Sequence, residues 1–192
     1  MNIGIFGGTF NPPHVGHLIV VESVRERLKL DRVIFVPSYI SPHKRRGEET
    51  LAAHRLKMVR LAIQGNPSFS VSDIEIKRKG TSYTFETLET LQKEYHGAKL
   101  YLLMGIDNFV EFHTWKKPQR IAELATLVVM NRPAEPRATS KRKLRSVTEF
   151  VPVPEIQLSS TDIRMRVREG KTIRFLVPDS VAHYIMRTKL YR

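Results

Sequence analysis

The sequence of 192 residues contains no cysteine. This absence excludes disulfide bonds, a thiol nucleophile and any zinc or iron–sulfur site that relies on cysteine ligands. It is compatible with a reducing compartment. Any chemistry that the protein performs must therefore come from other side chains.

Long hydrophobic runs are also missing. The longest clean apolar runs are Leu18 to Val21 and Leu127 to Met130, whereas a membrane-spanning helix needs roughly 20 apolar residues. The first residues, Met1 to Gly4, lead into a strand-like segment with no basic stretch and no cleavage site ahead of it, so no secretory signal is recognised. We expect a cytoplasmic protein without a membrane partner.

Acidic residues are few, since 19 Asp and Glu stand against 32 Lys and Arg and give a net charge of +13. An excess of this size attracts polyanions such as nucleic acid, acidic lipid or phosphorylated small molecules, and solubility alone is the simplest alternative. The net charge alone does not distinguish these interpretations, so the distinction must come from the sequence motifs. The length suits one full-sized domain, and we predict a single domain over residues 1–192.

Short apolar runs alternate with stretches of helical periodicity along the chain. Strands are predicted at residues 3–6, 32–36, 99–104, 126–130 and 150–153, with a further extended segment at 69–76 that has a bulge near Asp73. Helices are predicted at residues 15–28, 51–64, 85–95 and 118–125, from about residue 160, and after Pro178. Residues 131–145 are predicted to form a loop. The alternation predicts an α/β fold, a Rossmann-like doubly wound parallel sheet with helices on both faces.

The segment from Gly7 to His17, GGTFNPPHVGH, carries the strongest functional signal. It follows the first strand and opens the first helix, so it lies at the carboxyl edge of the sheet, where open α/β folds bind ligands. The glycines allow a tight turn, and free amides at the start of a helix attract an anion. His14 and His17 are three residues apart, so both project to one side and could donate hydrogen bonds to phosphate oxygens.

Two other interpretations compete with phosphate binding at this segment. Both imidazoles could simply cap the helix or pack against it, and the pattern alone favours phosphate binding over packing because of the glycines and the helix start. A metal site is a weak alternative, because no third ligand stands nearby. Neither a G-x-G-x-x-G dinucleotide turn nor a Walker A loop is present.

The turn closely resembles the (H/T)xGH signature of the nucleotidyltransferase superfamily, and within it the chain is similar to the bacterial nicotinate-nucleotide adenylyltransferases. Four further segments resemble motifs of that family in the expected order: Ser41-Pro42-His43-Lys44, Ser82-Tyr83-Thr84, Gly105-Ile106-Asp107 and Leu158 to Arg164, LSSTDIR. The resemblance spans nearly the whole chain. Its departures are small, with Asn11 where Asp is usual and Leu158 where Ile is usual, and neither touches a proposed chemical role.

The resemblance implies that ATP and nicotinate mononucleotide give nicotinate adenine dinucleotide and pyrophosphate. The attacking atom would be a phosphate oxygen, so no protein nucleophile or general base is needed. The phosphates would be contacted by three catalytic residues: His14, His17 and Arg164. ATP would also be bound by residues of the turn, the end of the fourth strand and the late helix: Gly7, Gly8, Thr9, Phe10, Gly16, Gly105, Asp107, Ser160 and Thr161. The mononucleotide would be bound by Lys44, Tyr83, Thr84, Trp115 and Arg132. Mg²⁺ would arrive with ATP, and no metal ligand is expected from the protein.

Several of these residues also have simpler interpretations. Ser159, Ser160 and Thr161 precede a helix and could serve as plain N-caps. The single tryptophan, Trp115, stands in a polar, poorly periodic stretch, so we expect a partly exposed ring that stacks on nicotinate, as the resemblance implies. No role is assigned to four further histidines, which are His54, His96, His113 and His183.

Three rival functions stay open at this point. The same chemistry could use nicotinamide mononucleotide, phosphopantetheine, or a cytidylyl acceptor with CTP. A basic nucleic-acid-binding protein is supported by the charge but leaves the two histidines unexplained, and we expect no nucleic-acid partner. An inactive sensor on the same fold is disfavoured by the intact His14, His17 and Arg164. A homo-oligomer stays an option.

Overall fold

The structure is a computed structural model that describes residues 1–40, 51–131 and 147–192. It contains six strands, each close to an apolar run of the sequence: β1 Asn2–Gly8, β2 Arg32–Pro37, β3 Phe69–Val71, β4 Lys99–Gly105, β5 Ala125–Asn131 and β6 Thr148–Pro152. They form one sheet in the order β3-β2-β1-β4-β5-β6. This is the strand order of a Rossmann-type fold, in which ligands bind at the carboxyl ends of the strands.

Strands β1 and β4, β4 and β5, and β5 and β6 pair in parallel. Ile3 pairs with Leu100 between β1 and β4, Leu102 with Leu127 between β4 and β5, and Val129 with Phe150 between β5 and β6. Most residues at the centres of β1, β4 and β5 are buried, which explains why these strands are apolar without strict alternation. The predicted α/β class and Rossmann-like fold are confirmed.

Eight α-helices connect or follow these strands within the described residues: α1 Val15–Arg27, α2 Ala52–Ala62, α3 Ile74–Arg78, α4 Thr84–Glu94, α5 Ile106–Val110, α6 Pro118–Leu124, α7 Ser160–Arg168 and α8 Asp179–Arg187. A short 3₁₀ turn covers Phe112–Thr114. The long predicted helices agree with these bounds to within about four residues at each end. In the same part of the chain no helix is long and apolar enough to cross a bilayer.

The extended segment predicted at residues 69–76 is wrong in its second half. The strand β3 ends at Val71, and a short helix, α3, begins at Ile74. The side chain of Ser72 accepts a hydrogen bond from the amide of Ile74 (3.4 Å), and Lys77 Nζ lies 3.0 Å from the Asp73 carboxylate one turn later. These local polar contacts satisfy the backbone in a turn, and they outweigh the alternating apolar pattern that indicated a strand.

The described chain divides into two compact units, each made of three segments. The first unit contains Met1–Gly7, Val20–Ile34 and Tyr83–Glu155. Its core consists of fully buried aliphatic side chains of α1, α4, α6 and β5: Val21, Val24, Leu88, Leu91, Ile121, Leu127 and Val128. Arg120 of α6 pairs with Glu89 of α4 at 2.9 Å, but both side chains are exposed. Since exposed pairs contribute little, burial of the aliphatic groups holds this unit together.

The second unit contains Gly8–Ile19, Phe35–Ser82 and Ile156–Arg192. Its hydrophobic cluster joins α2, α7 and α8 through Met58, Ala62, Ile163, Val167, Ile173, Val177, Val181 and Ile185. Arg55 of α2 is 1% exposed, and its guanidinium donates to the carbonyl oxygens of Thr9, Ser38 and Tyr39. One buried cation therefore holds the chain segments that follow β1 and β2. The prediction of one domain over residues 1–192 stays a prediction.

Candidate active site

The second unit contains the whole turn from Gly8 to the start of α1. Phe10 adopts φ 51°, and its buried ring lies edge-on to His17 with 5.4 Å between ring centroids. A Cβ added at Gly8 would lie 3.0 Å from the Phe10 ring. A side chain at position 8 would therefore crowd the ring of Phe10, which folds back over Gly8.

The start of α1 differs from the expectation of free amides. The amide of Val15 donates to the carbonyl oxygen of Leu176 at 3.0 Å, and that of His17 donates to the carbonyl oxygen of His14 at 3.0 Å. Two amides of the first turn are thus already bonded within the protein. Fewer free amides are thus left at this turn than the sequence indicated, and anion binding there stays a prediction.

His14 and His17 stack on each other, with their ring centroids 3.6 Å apart and 23° between the ring planes. His17 Nδ1 accepts a hydrogen bond from the backbone amide of His14 at 3.2 Å. A ring nitrogen that accepts carries no proton, so the proton of His17 is on Nε2. His17 therefore presents its Nε2–H group as a hydrogen-bond donor.

His14 is 7% exposed, and burial lowers the pKa of its imidazole to about 4. The ring is consequently neutral at neutral pH. Its Nδ1 is buried and has no hydrogen-bond partner among the described residues. A proton at that position would be buried without an acceptor, which is costly, so the proton belongs on Nε2 here as well. The stack thus consists of two neutral rings that each donate through Nε2.

Gly16 makes room for this stack. A Cβ at position 16 would lie 3.1 Å from His14 Nδ1 and 3.3 Å from Ile156 Cγ2. The groups nearest to this position belong to the protein itself, and the predicted contact of Gly16 with ATP stays a prediction. Glycine at this position therefore allows His14 to turn inward against α1.

Helix α7 places Ser160, Thr161 and Arg164 beside the same turn. Ser160 Oγ donates to the carbonyl oxygen of Pro12 at 2.8 Å. Arg164 donates through Nη1 to the carbonyl oxygen of Asn11 at 3.0 Å and through Nη2 to Thr161 Oγ1 at 3.3 Å. A guanidinium and two imidazoles are thus brought to one loop within one unit, an arrangement suited to binding several phosphate oxygens.

The N-cap of α7 is Ser159, whose hydroxyl accepts from the amide of Asp162 at 3.1 Å. The capping interpretation is therefore correct for Ser159. Ser160 and Thr161 lie inside the first turn, where their amides have no partner four residues back in the helix. This leaves the start of α7 with the features of an anion site, namely first-turn amides and a positive side chain.

The first unit holds a different group of predicted residues. Tyr83 precedes α4 and Thr84 begins it, and both are half-buried. Lys116 Nζ lies 3.9 Å from the centre of the Tyr83 ring, and Lys117 Nζ lies 4.5 Å from the centre of the Phe85 ring. These cation–π contacts place two positive charges at the aromatic start of α4.

Trp115 is half-buried in the same unit, with its ring centroid 5.5 Å from that of the buried Phe112. The expected partial exposure is confirmed. Gly105 ends β4 and is the N-cap of α5, while Asp107 is exposed in the first turn of that helix. Asp107 is thus not the N-cap itself, and its carboxylate faces solvent, where hydroxyl groups could reach it.

The structure provides no contact for several predicted features. Lys44 and Arg132 lie outside the described residues, as does most of the loop predicted at 131–145. A Cβ added at Gly7 would meet no described atom within 4 Å, so no contact explains this glycine. Within residues 1–40, 51–131 and 147–192 no group of three or more His, Asp or Glu is arranged to hold a metal ion.

Sequence reasoning missed four residues that shape these contacts: Asn11, Arg55, Lys116 and Tyr191. Asn11 stands in the sequence as a harmless departure, yet its carbonyl oxygen holds Arg164 and its side chain accepts from Tyr191. A lysine directly after the single tryptophan is the one available signal for Lys116. His54, to which no role was given, is bonded through Nδ1 to the Tyr184 hydroxyl at 2.8 Å.

Comparison with known proteins gives concordant results. Residues 5–166 match the family described as cytidylyltransferase-like. A protein of Thermomicrobium roseum named "Probable nicotinate-nucleotide adenylyltransferase" is 47% identical over 99% of this chain and 91% of its own length. A protein of Desulfitobacterium hafniense with the same name is 44% identical over 99% of this chain and 95% of its own length. The structure of a Plasmodium falciparum nicotinic acid mononucleotide adenylyltransferase complexed with NaAD is similar in fold, with a TM-score of 0.78, 17% identity, and coverage of 99% of this chain and 97% of that one.

Proposed function

This chain belongs to the nicotinate-nucleotide adenylyltransferases of the cytidylyltransferase-like family, and on that premise we propose that it joins nicotinate mononucleotide to the AMP part of ATP. The products are nicotinate adenine dinucleotide and pyrophosphate, so the reaction is a step of NAD biosynthesis. The observation that carries the assignment is the phosphate half of the site. There the stacked His14 and His17 and the guanidinium of Arg164 converge on one loop.

The chemistry requires positioning and charge stabilisation rather than proton transfer. A phosphate oxygen of the mononucleotide attacks the α-phosphorus of ATP, a new P–O bond forms, and the bond to the bridging oxygen breaks. The electron pair leaves with pyrophosphate. Because the attacking phosphate is already an anion, no general base is needed, and two neutral imidazoles suit this role.

His14 and His17 would contact the phosphates through their Nε2–H groups. Both rings are held in place before substrate arrives, by the hydrogen bond from the His14 amide and by the packing of His14 against Gly16. Donors fixed in this way need no reorganisation as charge develops, and removing one typically costs about 10²–10³ in rate. Arg164, Ser160 and Thr161 would bind the departing phosphates.

The Ser160 hydroxyl has a single proton, and that proton is donated to the carbonyl oxygen of Pro12. While that bond is kept, Ser160 can offer a phosphate only its backbone amide. The Arg164 guanidinium has five N–H groups, so it can keep its bonds to Asn11 and Thr161 and still bind an oxyanion. We therefore assign binding through the amide to Ser160 and through the side chain to Arg164.

Mg²⁺ enters as part of the ATP substrate, carried by phosphate oxygens and water. This agrees with its preference for phosphates over a cage built from protein ligands. The ion offsets part of the repulsion between two anionic substrates. Gly7, Gly8, Thr9, Phe10 and Gly16 would shape the turn around this ATP.

The residues assigned to the acceptor include three of the first unit, Trp115, Tyr83 and Thr84. Trp115 offers a partly exposed ring for the pyridine, and Tyr83 and Thr84 lie at the start of α4, whose amides suit a carboxylate. The ammonium group of Lys116 stands over the Tyr83 ring, which favours an acid over an amide at the pyridine. Gly105 and Asp107 stay in the ATP set, where the Asp107 carboxylate would accept hydrogen bonds from the ribose hydroxyls of ATP. Lys44 and Arg132 stay in the acceptor set as predictions.

The test is pyrophosphate release from ATP and Mg²⁺ with nicotinate mononucleotide, nicotinamide mononucleotide or phosphopantetheine offered separately. We expect rapid release with the nicotinate compound and a loss of about 10²–10³ in kcat for His17→Ala. The exposed His96, changed to Ala, is the matched control and should leave kcat unchanged. Turnover with another acceptor and none with nicotinate mononucleotide would overturn the acceptor assignment. Full activity of His17→Ala would overturn the role of the turn.

We also place the reaction in the cytoplasm. Both proposed substrates are multiply charged nucleotides that do not cross an apolar bilayer unaided, so the enzyme must work where they are produced. Cell fractionation should recover the adenylyltransferase activity with the cytosolic proteins. Recovery with the membrane or secreted fraction would contradict this placement.

A further inference from the structure

Tyr191 makes a contact with the glycine turn that the proposed chemistry does not use. Its hydroxyl donates to Asn11 Oδ1 at 2.7 Å and lies 3.9 Å from Met58 Sδ. Asn11 is 5% exposed, so its side chain is fixed inside the protein. The Tyr191 ring packs on the edge of the hydrophobic cluster of the second unit. Two residues distant in sequence are thereby joined at the phosphate half of the site.

Asn11 receives a second hydrogen bond on its main chain. Its carbonyl oxygen accepts from Arg164 Nη1 at 3.0 Å, while the neighbouring carbonyl of Pro12 accepts from Ser160 at 2.8 Å. Nearer β1, the carbonyl oxygen of Thr9 accepts from Arg55 at 3.0 Å. Carbonyls of this loop are thus oriented by side chains from other segments. The orientation of the Asn11 peptide therefore decides where the guanidinium of Arg164 is held.

We propose that Tyr191 is a positioning residue for the transfer reaction, acting through Asn11 on Arg164. The hydroxyl fixes the Asn11 side chain, the fixed residue aims its carbonyl oxygen, and that oxygen holds one nitrogen of the guanidinium. The remaining N–H groups of Arg164 are then directed at the phosphates. This inference rests on the proposed function only in taking Arg164 as a phosphate ligand.

A purely structural role is the alternative, since Tyr191 also contributes apolar contacts. The two roles can be tested separately, because the Tyr191 ring makes the apolar contacts and its hydroxyl makes the bond that positions Asn11. Tyr191→Phe keeps the ring and removes the hydroxyl, with its bond to Asn11 and its weaker contact with Met58 Sδ. Tyr184→Phe is a matched control, because Tyr184 packs on the same cluster and its hydroxyl is hydrogen-bonded to His54 Nδ1 at 2.8 Å and not to Asn11.

Steady-state kinetics of both variants form the first part of the test. We expect Tyr191→Phe to lower kcat by about 3- to 10-fold, the factor that one hydrogen bond can supply, with KM for both substrates within about twofold. An interaction that stabilises mainly the charge on the departing pyrophosphate should, when lost, lower kcat and leave KM nearly unchanged. Tyr184→Phe should keep kcat within about twofold, even if it lowers the thermal stability as much as Tyr191→Phe does. Wild-type kcat in Tyr191→Phe, or an equal loss in both variants, would overturn the proposal.

Pyrophosphate binding, measured by calorimetry with Mg²⁺, forms the second part and needs no acceptor. Tyr191→Phe should weaken binding by about 3- to 10-fold in the wild-type background and have no further effect when combined with Arg164→Gln. Additive losses would show that Tyr191 does not act through Arg164. The losses of pyrophosphate binding could prove non-additive in a protein that does not turn over nicotinate mononucleotide. That result would support the positioning role of Tyr191 and overturn only the acceptor assignment.

Discussion

Acidification should destabilise this enzyme through the side chain of His14. The unfolded chain takes up a proton at this imidazole as the pH falls through its ordinary pKa of about 6.5. Burial in the folded protein holds the pKa at about 4, so the folded state remains unprotonated there. The stability that comes from burying a neutral His14 is therefore present above about pH 6.5 and is lost as the pH falls toward 4.

The size of the effect follows from the two pKa values. Between pH 7 and pH 5 the unfolded state gains about 2 kcal/mol relative to the folded state from this one group. That is a considerable share of the 5–15 kcal/mol that typically separates folded from unfolded proteins. The loss should be nearly complete at pH 4, because protonation of the folded state then begins to compensate.

Urea unfolding followed by circular dichroism at pH 7, 6 and 5 would measure this loss of unfolding free energy. His14→Gln removes the titrating group, so the wild type should lose about 2 kcal/mol more than this variant between pH 7 and pH 5. His183→Gln changes an exposed histidine of α8 and should keep the wild-type pH dependence. If wild type and His14→Gln respond to pH alike, then His14 is not buried as a neutral ring, and its assignment as a neutral Nε2–H donor is wrong.

Two further substitutions test the local geometry. Gly16→Ala would place a methyl group 3.1 Å from His14 Nδ1, and we expect kcat to fall by at least about tenfold as the imidazole is displaced. Unchanged turnover would mean that the ring can yield without cost. Ser159→Ala removes the N-cap of α7 and should lower the unfolding free energy by about 1 kcal/mol with kcat nearly unchanged. A large drop in kcat there would indicate that Ser159 contacts substrate.

The fold could be predicted because most of its elements obey local rules. The helices and strands around Val21, Leu88 and Leu127 show the expected spacing of buried side chains, and glycine or proline interrupts the chain near their ends. The exception is residues 72–78, where Ile74 and Ile76 alternate as in a strand. The conformation of that segment is decided by hydrogen bonds between backbone amides and side chains such as Ser72. A hydrophobic pattern carries no information about these bonds.

The site was predictable in its residue types and not in its connections. The spacing of His14 and His17 showed that both project from one turn, but not that they stack or which nitrogen carries the proton. The contact of Gly16 with ATP stays a prediction, and the structure adds a further reason for glycine there, since a Cβ would lie 3.1 Å from His14 Nδ1. The roles of Asn11 and Tyr191 depend on contacts between distant parts of the chain, for which a single sequence carries no signal.

The bonds that hold the glycine turn also constrain when it can form during folding. Arg164 and Asn11 are separated by 153 residues of chain, and Tyr191 and Asn11 by 180. Closing a loop of that length costs roughly 4 kcal/mol in chain entropy, whereas one hydrogen bond returns only about 1 kcal/mol. These bonds cannot draw the segments together and must wait until the hydrophobic cluster of α2, α7 and α8 has assembled. Residues 8–19, which are synthesised well before residue 156, thus reach their final shape only after the segment from 156 onward has emerged and packed. We therefore expect a nascent chain to complete the hydrogen bonds of the glycine turn late in folding.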